Sequence, residues 1–206
     1  MQTDKIRINN RGEGLSDVLI QSEKYSGYEG FDKKQTLHLR LMCEETVGML
    51  KELAGEFSGL FWIEGNKDQT SLRLELQTEM DKEKRSRLLS VSSSRKNEYA
   101  KGVMGKIRDV IELALMEDDL SDNVTDYDIL MMGMNNAALD PASANNPMAG
   151  YQIWSLMEYR DLIKEKKEAY EAEWDELEKS IIANLADDVR VGIRDEKVHI
   201  EIFKRF

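Results

Sequence analysis

The spacing of apolar residues changes several times along the chain, and each change marks a different element. Residues 5–9 have isoleucines at alternate positions, which predicts a short first strand. Helical spacing follows in residues 16–25, and again from Asp32, a good helix N-cap, as far as Gly55. The inward positions of these two predicted helices are Leu15, Val18, Leu19 and Tyr25 in the first, and Leu37, Leu41, Thr46, Met49, Leu50 and Leu53 in the second.

After the second helix the apolar period changes to two. Residues 60–63 are Leu-Phe-Trp-Ile, residues 65–68 are turn formers, and leucines recur at positions 72, 74 and 76. Alternation of this kind places one side of a strand pair in the core and the other side in solvent. The segment therefore predicts a β-hairpin with one buried face.

The middle of the chain combines helical segments with long polar stretches. Residues 81–89 have helix-forming composition, residues 90–97 form a serine-rich break, and residues 102–116 return to helical spacing. The apolar stripe of this last helix is Ile107, Val110, Ile111, Ala114 and Leu115. An acidic connector over residues 117–128 leads into a loop over residues 129–150 that is rich in Met, Asn and Ala. The loop either covers a groove or a partner, or is an irregular insertion.

The last third predicts one long helix and a second hairpin. Residues 154–185 contain no Gly or Pro and place apolar side chains at helical spacing among Lys and Glu, so they predict one helix. Its apolar stripe is Trp154, Leu156, Met157, Leu162, Ile163, Tyr170, Trp174, Leu177 and Ile181, which packs on the sheet or forms a dimer or partner surface. The hairpin pairs Val189, Val191 and Ile193 with Val198, Ile200 and Ile202.

This order of elements predicts an α+β fold. Helices gathered on one face of a mostly antiparallel sheet form a two-layer α/β sandwich. A chain of 206 residues fits a single domain over residues 1–206. Within it, residues 117–186 are interpreted as an insertion of a loop and a long helix before the last hairpin.

Composition and charge narrow the function classes. A hydrophobic content of 41% is typical of a globular domain, and no segment is apolar enough to predict a membrane span or a signal peptide. The single cysteine, Cys43, cannot form an internal disulfide, so a cytoplasmic location is expected. The net charge of −11 argues against sequence-independent binding to nucleic acid, which needs clustered cations.

One segment departs from this acidic average. Residues 82–108, the basic segment, carry nine Lys and Arg against two acids, whereas the rest of the chain carries 20 bases and 38 acids. The segment is either a solvated helix face or a contact for an anion.

Other arrangements of reactive residues are rejected. His38, His199 and Cys43 lack the spacing of a metal site, so no metal is predicted. Gly12 and Gly14 follow the first strand like part of a dinucleotide fingerprint, but a second helix follows where the fingerprint needs a parallel strand.

The order of elements, together with a glutamate pair in the second helix, resembles the histidine-kinase-like ATPase superfamily (GHKL), and in size the anti-sigma-factor serine kinases. The resemblance covers about residues 4–116 and the last hairpin. It implies a site for ATP or ADP and a regulatory protein partner. In the run MCEETVGML, Glu45 stands where the family has its catalytic glutamate, whereas Met49 stands where it has a magnesium-binding asparagine.

Two further family motifs can be located. The adenine-binding Asp-x-Gly motif falls on Thr78-Glu79-Met80, so a threonine replaces the aspartate and a methionine replaces the glycine. A glycine turn before a helix survives, and such a turn can hold an anion on free backbone N–H groups. The residues that the resemblance assigns to the ligand are Ser92, Ser93, Ser94, Arg95, Lys96, Lys101, Gly102, Gly105, Lys106 and Thr78.

Three hypotheses for function follow. The first is a regulatory module of degenerate ATPase fold that binds a nucleotide or another anion and a protein partner, with Glu45 as its one catalytic candidate. The second is a protein-interaction or self-association module, such as a homodimer, whose pocket is closed by Met49 and Met80. The third is an active serine kinase of a regulatory partner, in which Glu44 or Glu45 would hold magnesium.

Overall fold

The structure is a computed structural model, and it describes residues 1–52, 56–79, 106–107, 110–111, 134–135, 152–194 and 197–206. Its elements, in chain order, are β1 (Ile6–Asn9), α1 (Leu15–Glu29), α2 (Lys33–Glu52), β2 (Glu56–Gly65), β3 (Gln69–Glu79), β4 (Met134–Asn135), β5 (Gln152–Ser155), α3 (Leu156–Glu165), α4 (Glu171–Lys179), α5 (Ile181–Leu185), β6 (Asp188–Arg194) and β7 (Lys197–Arg205). Residues 106–107 and 110–111 are also helical. Within this described part, the strands form one sheet in the order β1-β2-β3-β7-β6-β5-β4, and every neighbouring pair is antiparallel.

One face of the sheet is apolar across its width. Residues directly opposite one another on six successive strands form a single apolar row: Ile6, Phe61, Leu74, Ile200, Val191 and Trp154. The buried side chains of the helices belong to the same hydrophobic cluster as this row. Within each strand, the residues immediately before and after a member of this row point to the other face of the sheet, where polar and charged side chains predominate. The predicted α+β sandwich is confirmed.

Both predicted hairpins are present, and the structure gives their registers. In the first, Ile63 lies opposite Leu72 and Phe61 opposite Leu74. In the second, the pairs are Val189 with Ile202, Val191 with Ile200, and Ile193 with Val198. Strict alternation decides which side chains face the core, because a slip of one residue would turn every apolar side chain toward solvent.

The prediction of one long helix over residues 154–185 is wrong. Trp154 lies in β5, and the rest of the segment forms three helices, α3, α4 and α5. Two of these boundaries, the start of α3 and the start of α5, occur without Gly or Pro because Ser155 and Ser180 cap the new helices, their hydroxyls accepting from the backbone N–H of Glu158 and Ala183. The boundary between α3 and α4 has no such cap, since the side chain of Tyr170 forms no capping hydrogen bond. In the predicted stripe, Met157 and Ile181 are exposed.

The inner face of α2 differs in part from its predicted positions. Leu37 was predicted to face inward, but its side chain is 53% exposed, while Leu39 is fully buried. Thr46, Met49 and Leu50 are buried as predicted. The buried positions Leu39, Met42, Cys43, Thr46, Val47 and Leu50 define the stripe that packs on the sheet. Leu37 falls outside that stripe because its position lies on the opposite side of the helix.

Gly14 allows α1 to start very close to β1. Its φ of 71° lies in the left-handed region, and a Cβ there would stand 1.9 Å from the carbonyl oxygen of Arg7. Only glycine fits both the conformation and the space. This requirement explains a glycine that superficially resembles part of a nucleotide-binding fingerprint.

A buried aspartate fixes the start of α3 on the sheet. Asp188 in β6 is 4% exposed, and its Oδ1 accepts from the Ser155 hydroxyl at 3.0 Å and from the Met157 N–H at 3.1 Å. Its Oδ2 accepts from Nε of Arg190 at 2.8 Å. A carboxylate at a helix N-terminus also stabilises the helix dipole. Asp188 therefore determines where the side chains of α3 are placed.

We expect Asp188→Ala to lower the free energy of unfolding by about 2–3 kcal/mol, because it removes a charged acceptor from buried donors. Asp161→Ala, at an exposed position of α3, is the matched control and should change stability by less than about 0.5 kcal/mol. Urea unfolding followed by circular dichroism measures both. Equal stability of the two variants would contradict the proposed role of Asp188.

Cys43 is fully buried in α2, and burial raises the pKa of its thiol to about 12. The thiolate is the reactive form, so the folded protein should react slowly with iodoacetamide at pH 8. We expect alkylation to become fast when urea unfolds the chain, and mass spectrometry of timed samples follows it. Labelling of the native protein at the rate of a free thiol would show that the thiol is accessible.

Candidate functional site

Most of the predicted ligand residues lie outside the described part of the chain. These are Ser92, Ser93, Ser94, Arg95, Lys96, Lys101, Gly102 and Gly105. Thr78 lies in β3 with its backbone opposite Phe57, and its side chain is also outside the description. Lys106 and the catalytic candidate Glu45 are described, so the geometry of the candidate site is built from them.

Lys106 lies against the α3–α4 segment. Its ammonium is 3.9 Å from Oε2 of Glu176 in α4 and 5.7 Å from the ring centroid of Tyr159 in α3. Its side chain is only 19% exposed. A cation that is removed from water needs a counter-charge or an aromatic face nearby, and Lys106 has both. At Lys106 the basic segment therefore contacts α3 and α4 and does not extend into solvent.

Tyr159 is held firmly beneath this contact. Its ring packs on Trp154, with centroids 5.7 Å apart, and its residue is 1% exposed. The hydroxyl is buried and has no hydrogen-bond partner among the residues that the structure describes. Burial raises the pKa of this phenol well above its usual range, and the negative charges of Glu173 and Glu176 raise it further. The hydroxyl is therefore a neutral, unused donor at neutral pH.

We call Lys106, Tyr159, Glu173 and Glu176 the lysine–tyrosine cluster. The sequence prediction included Lys106 and missed the other three residues. The available signal was the spacing of Ser155, Tyr159 and Ile163, which is four residues each time and places a cap and two core positions on one side of a helix. That signal was hidden by the assumption of one long helix.

Glu45 and Met49 occupy successive turns of α2. Glu45 is half-buried, and burial raises its carboxyl pKa, with a smaller contribution from the charge of Glu44. Glu44 itself accepts a hydrogen bond from Nε of Arg40 at 2.9 Å. Met49 is 3% exposed and belongs to the hydrophobic core. Glu45 thus lies at the edge of the core, while the thioether of Met49 fills the next turn.

The open face of the sheet carries a charged network that the sequence prediction did not single out. Arg73 donates from Nε to Glu64 and from Nη2 to Glu201, each at 2.8 Å. Glu64 also accepts from the Trp62 indole at 2.9 Å, and Glu201 accepts from the Ser71 hydroxyl at 3.1 Å. All of these residues except Trp62 line a shallow hollow of about 360 Å³. Because its charged groups bind one another, the hollow presents few unsatisfied groups to a ligand.

Two searches within the described residues gave no candidate. No group of three or more His, Cys, Asp or Glu side chains in that part of the chain could hold a metal ion. Among the described helices, none has the length and apolar character needed to cross a membrane.

Comparison with known proteins gave no relative: no family model matches the chain, and no curated protein or solved structure matches it.

Proposed function

We propose that this chain is a regulatory module with a degenerate histidine-kinase-like ATPase fold, which binds a nucleotide or another anionic ligand without catalysing a reaction. A regulatory protein partner and a cytoplasmic location are part of the proposal. The observation that carries it is the position of Lys106. This member of the basic segment is 19% exposed and directed at a tyrosine ring, not extended into solvent.

The residues at positions 45 and 49 of α2 support a role in binding without catalysis. By resemblance, Glu45 is the family's acid and position 49 its magnesium ligand. Met49 is buried in the core and offers only a thioether, which is a poor ligand for a hard cation that prefers oxygen. An anion would then be held by cationic and neutral donors, with little help from a divalent metal.

We expect ADP to bind with an affinity that changes by less than about threefold when magnesium is added. At a hundredfold excess over its Kd, ADP should add about 2.7 kcal/mol to the free energy of unfolding. Isothermal titration calorimetry and thermal unfolding with ATP and ADP, each with and without magnesium, measure both quantities. The absence of heat and of any thermal shift at millimolar nucleotide would refute the proposal.

Substitution of Met49 tests the argument about the metal. Met49→Asn places an amide in the core and should lower the free energy of unfolding by about 2–4 kcal/mol. If the variant folds, ADP binding should become dependent on magnesium. Met49→Leu, which conserves volume, is the control and should cost less than about 1.5 kcal/mol and leave magnesium without effect.

A second candidate function, self-association, is favoured by three exposed apolar side chains. Ile20 and Tyr28 in α1 are 50% and 75% exposed, and Leu37 in α2 is 53% exposed. Large apolar side chains in contact with water are stabilised when a protein surface covers them. A homodimer formed through the outer side of these helices would cover all three.

We expect a homodimer of this kind to dissociate in the variant Tyr28→Glu, since a buried unpaired carboxylate is costly at an interface. Sedimentation equilibrium of the wild type and the variant measures the change. The control Lys164→Glu introduces a carboxylate at an exposed position of a different helix, α3. A wild-type chain that stays monomeric at millimolar concentration would exclude this function.

A further inference from the structure

The hydroxyl of Tyr159 has donor capacity that the described residues leave unused. Its residue is 1% exposed, and within the described part of the chain the hydroxyl has no hydrogen-bond partner. Buried polar groups in folded proteins almost always have one, because an unpaired group loses its hydration without compensation. The position of this hydroxyl in the lysine–tyrosine cluster therefore suggests an acceptor that arrives from elsewhere.

The contact between Lys106 and Glu176 is weak enough to be replaced. Nζ and Oε2 are 3.9 Å apart, at the outer limit of an ion pair, and the Glu176 side chain is 41% exposed. Partly exposed pairs of this kind contribute little to stability because solvent screens them and the side chains lose entropy. An anion that also formed a hydrogen bond with Tyr159 would compete effectively for Lys106.

Helix α4 supplies an anionic surface at this site. Its nine residues comprise five acids and one lysine, and two of the acids, Glu173 and Glu176, act electrostatically on the Tyr159 hydroxyl. These carboxylates repel an incoming anion as long as α4 lies against Lys106. The carboxylates of α4 and an external anion are thus both negatively charged, and both would pair with Lys106.

We propose that a phosphate group replaces Glu176 at Lys106 and accepts a hydrogen bond from Tyr159, so that α4 and the ligand compete for one site. The inference rests on the proposed anion binding and deepens it: Tyr159 becomes a ligand-binding residue, and α4 becomes an internal inhibitor. Ligand binding then releases α4 from Lys106, which links occupancy of the site to the position of an acidic helix.

The test uses the full chain, with ADP and inorganic pyrophosphate as probes at constant ionic strength. Glu176→Gln removes the competing charge and should lower the Kd of both probes by about 2–5-fold. Glu171→Gln makes the same charge change at an exposed position of α4 and should leave the Kd unchanged. Tyr159→Phe keeps the ring, removes the hydroxyl, and should raise the Kd about tenfold.

Thermal unfolding without ligand separates a binding role of Tyr159 from a structural one. Because no described residue forms a hydrogen bond with the hydroxyl, Tyr159→Phe should keep or raise the unfolding midpoint. A lower midpoint with unchanged affinity would show that the hydroxyl is structural and would overturn the inference. A weaker affinity in Glu176→Gln would also overturn it, because Glu176 would then assist the ligand.

The outcomes distinguish this inference from the proposed function. Wild-type binding that neither Tyr159→Phe nor Glu176→Gln alters would place the anion elsewhere, overturning the inference alone. Binding by Glu176→Gln where the wild type shows none would support the inhibition by α4. Failure of both proteins to bind either probe would overturn the inference and the proposed function together.

Discussion

The one-sided apolar row across the sheet is the constraint on which the rest of the structure depends. Its residues lie directly opposite one another on successive strands, from Ile6 at one edge of the sheet to Trp154 near the other edge. A face this wide must be covered, and the helices cover it with their own buried stripes in the same cluster. The polar face of the sheet can then remain exposed, with its charges paired by Arg73 and its neighbours.

The candidate site lies at the end of this row. Trp154 is its last described side chain, and Tyr159 packs on that tryptophan. The buried Asp188 fixes the turn between the two residues by accepting from Ser155 and Met157. Lys106 then meets Tyr159 and Glu176 from a helical segment that is distant in sequence. The position of the hydroxyl thus follows from core packing and from one buried carboxylate.

The proposed module would use electrostatics in two opposite ways. A net charge of −11 keeps the surface as a whole repulsive to phosphate, while the basic segment provides a local exception. Helix α4 reduces the local positive charge of this segment by placing carboxylates beside Lys106. Such an arrangement favours selective, competitive binding over strong nonspecific attraction, which is a suitable property for a regulatory protein.

Local periodicity determined much of the fold from the sequence alone. Alternation in the two hairpins decided which residues point inward, because a slip of one residue would turn every apolar side chain to the other face. The pairing of Val191 with Ile200, as against registers that differ by two residues, also depends on the turn. Tertiary structure decided the rest. Nothing in residues 154–185 breaks a helix by propensity, so the capping roles of Ser155 and Ser180 became visible only with the sheet in place. The meeting of Lys106 with Tyr159 and Glu176 likewise depends on distant segments, whose proximity is set by packing and not by any local spacing.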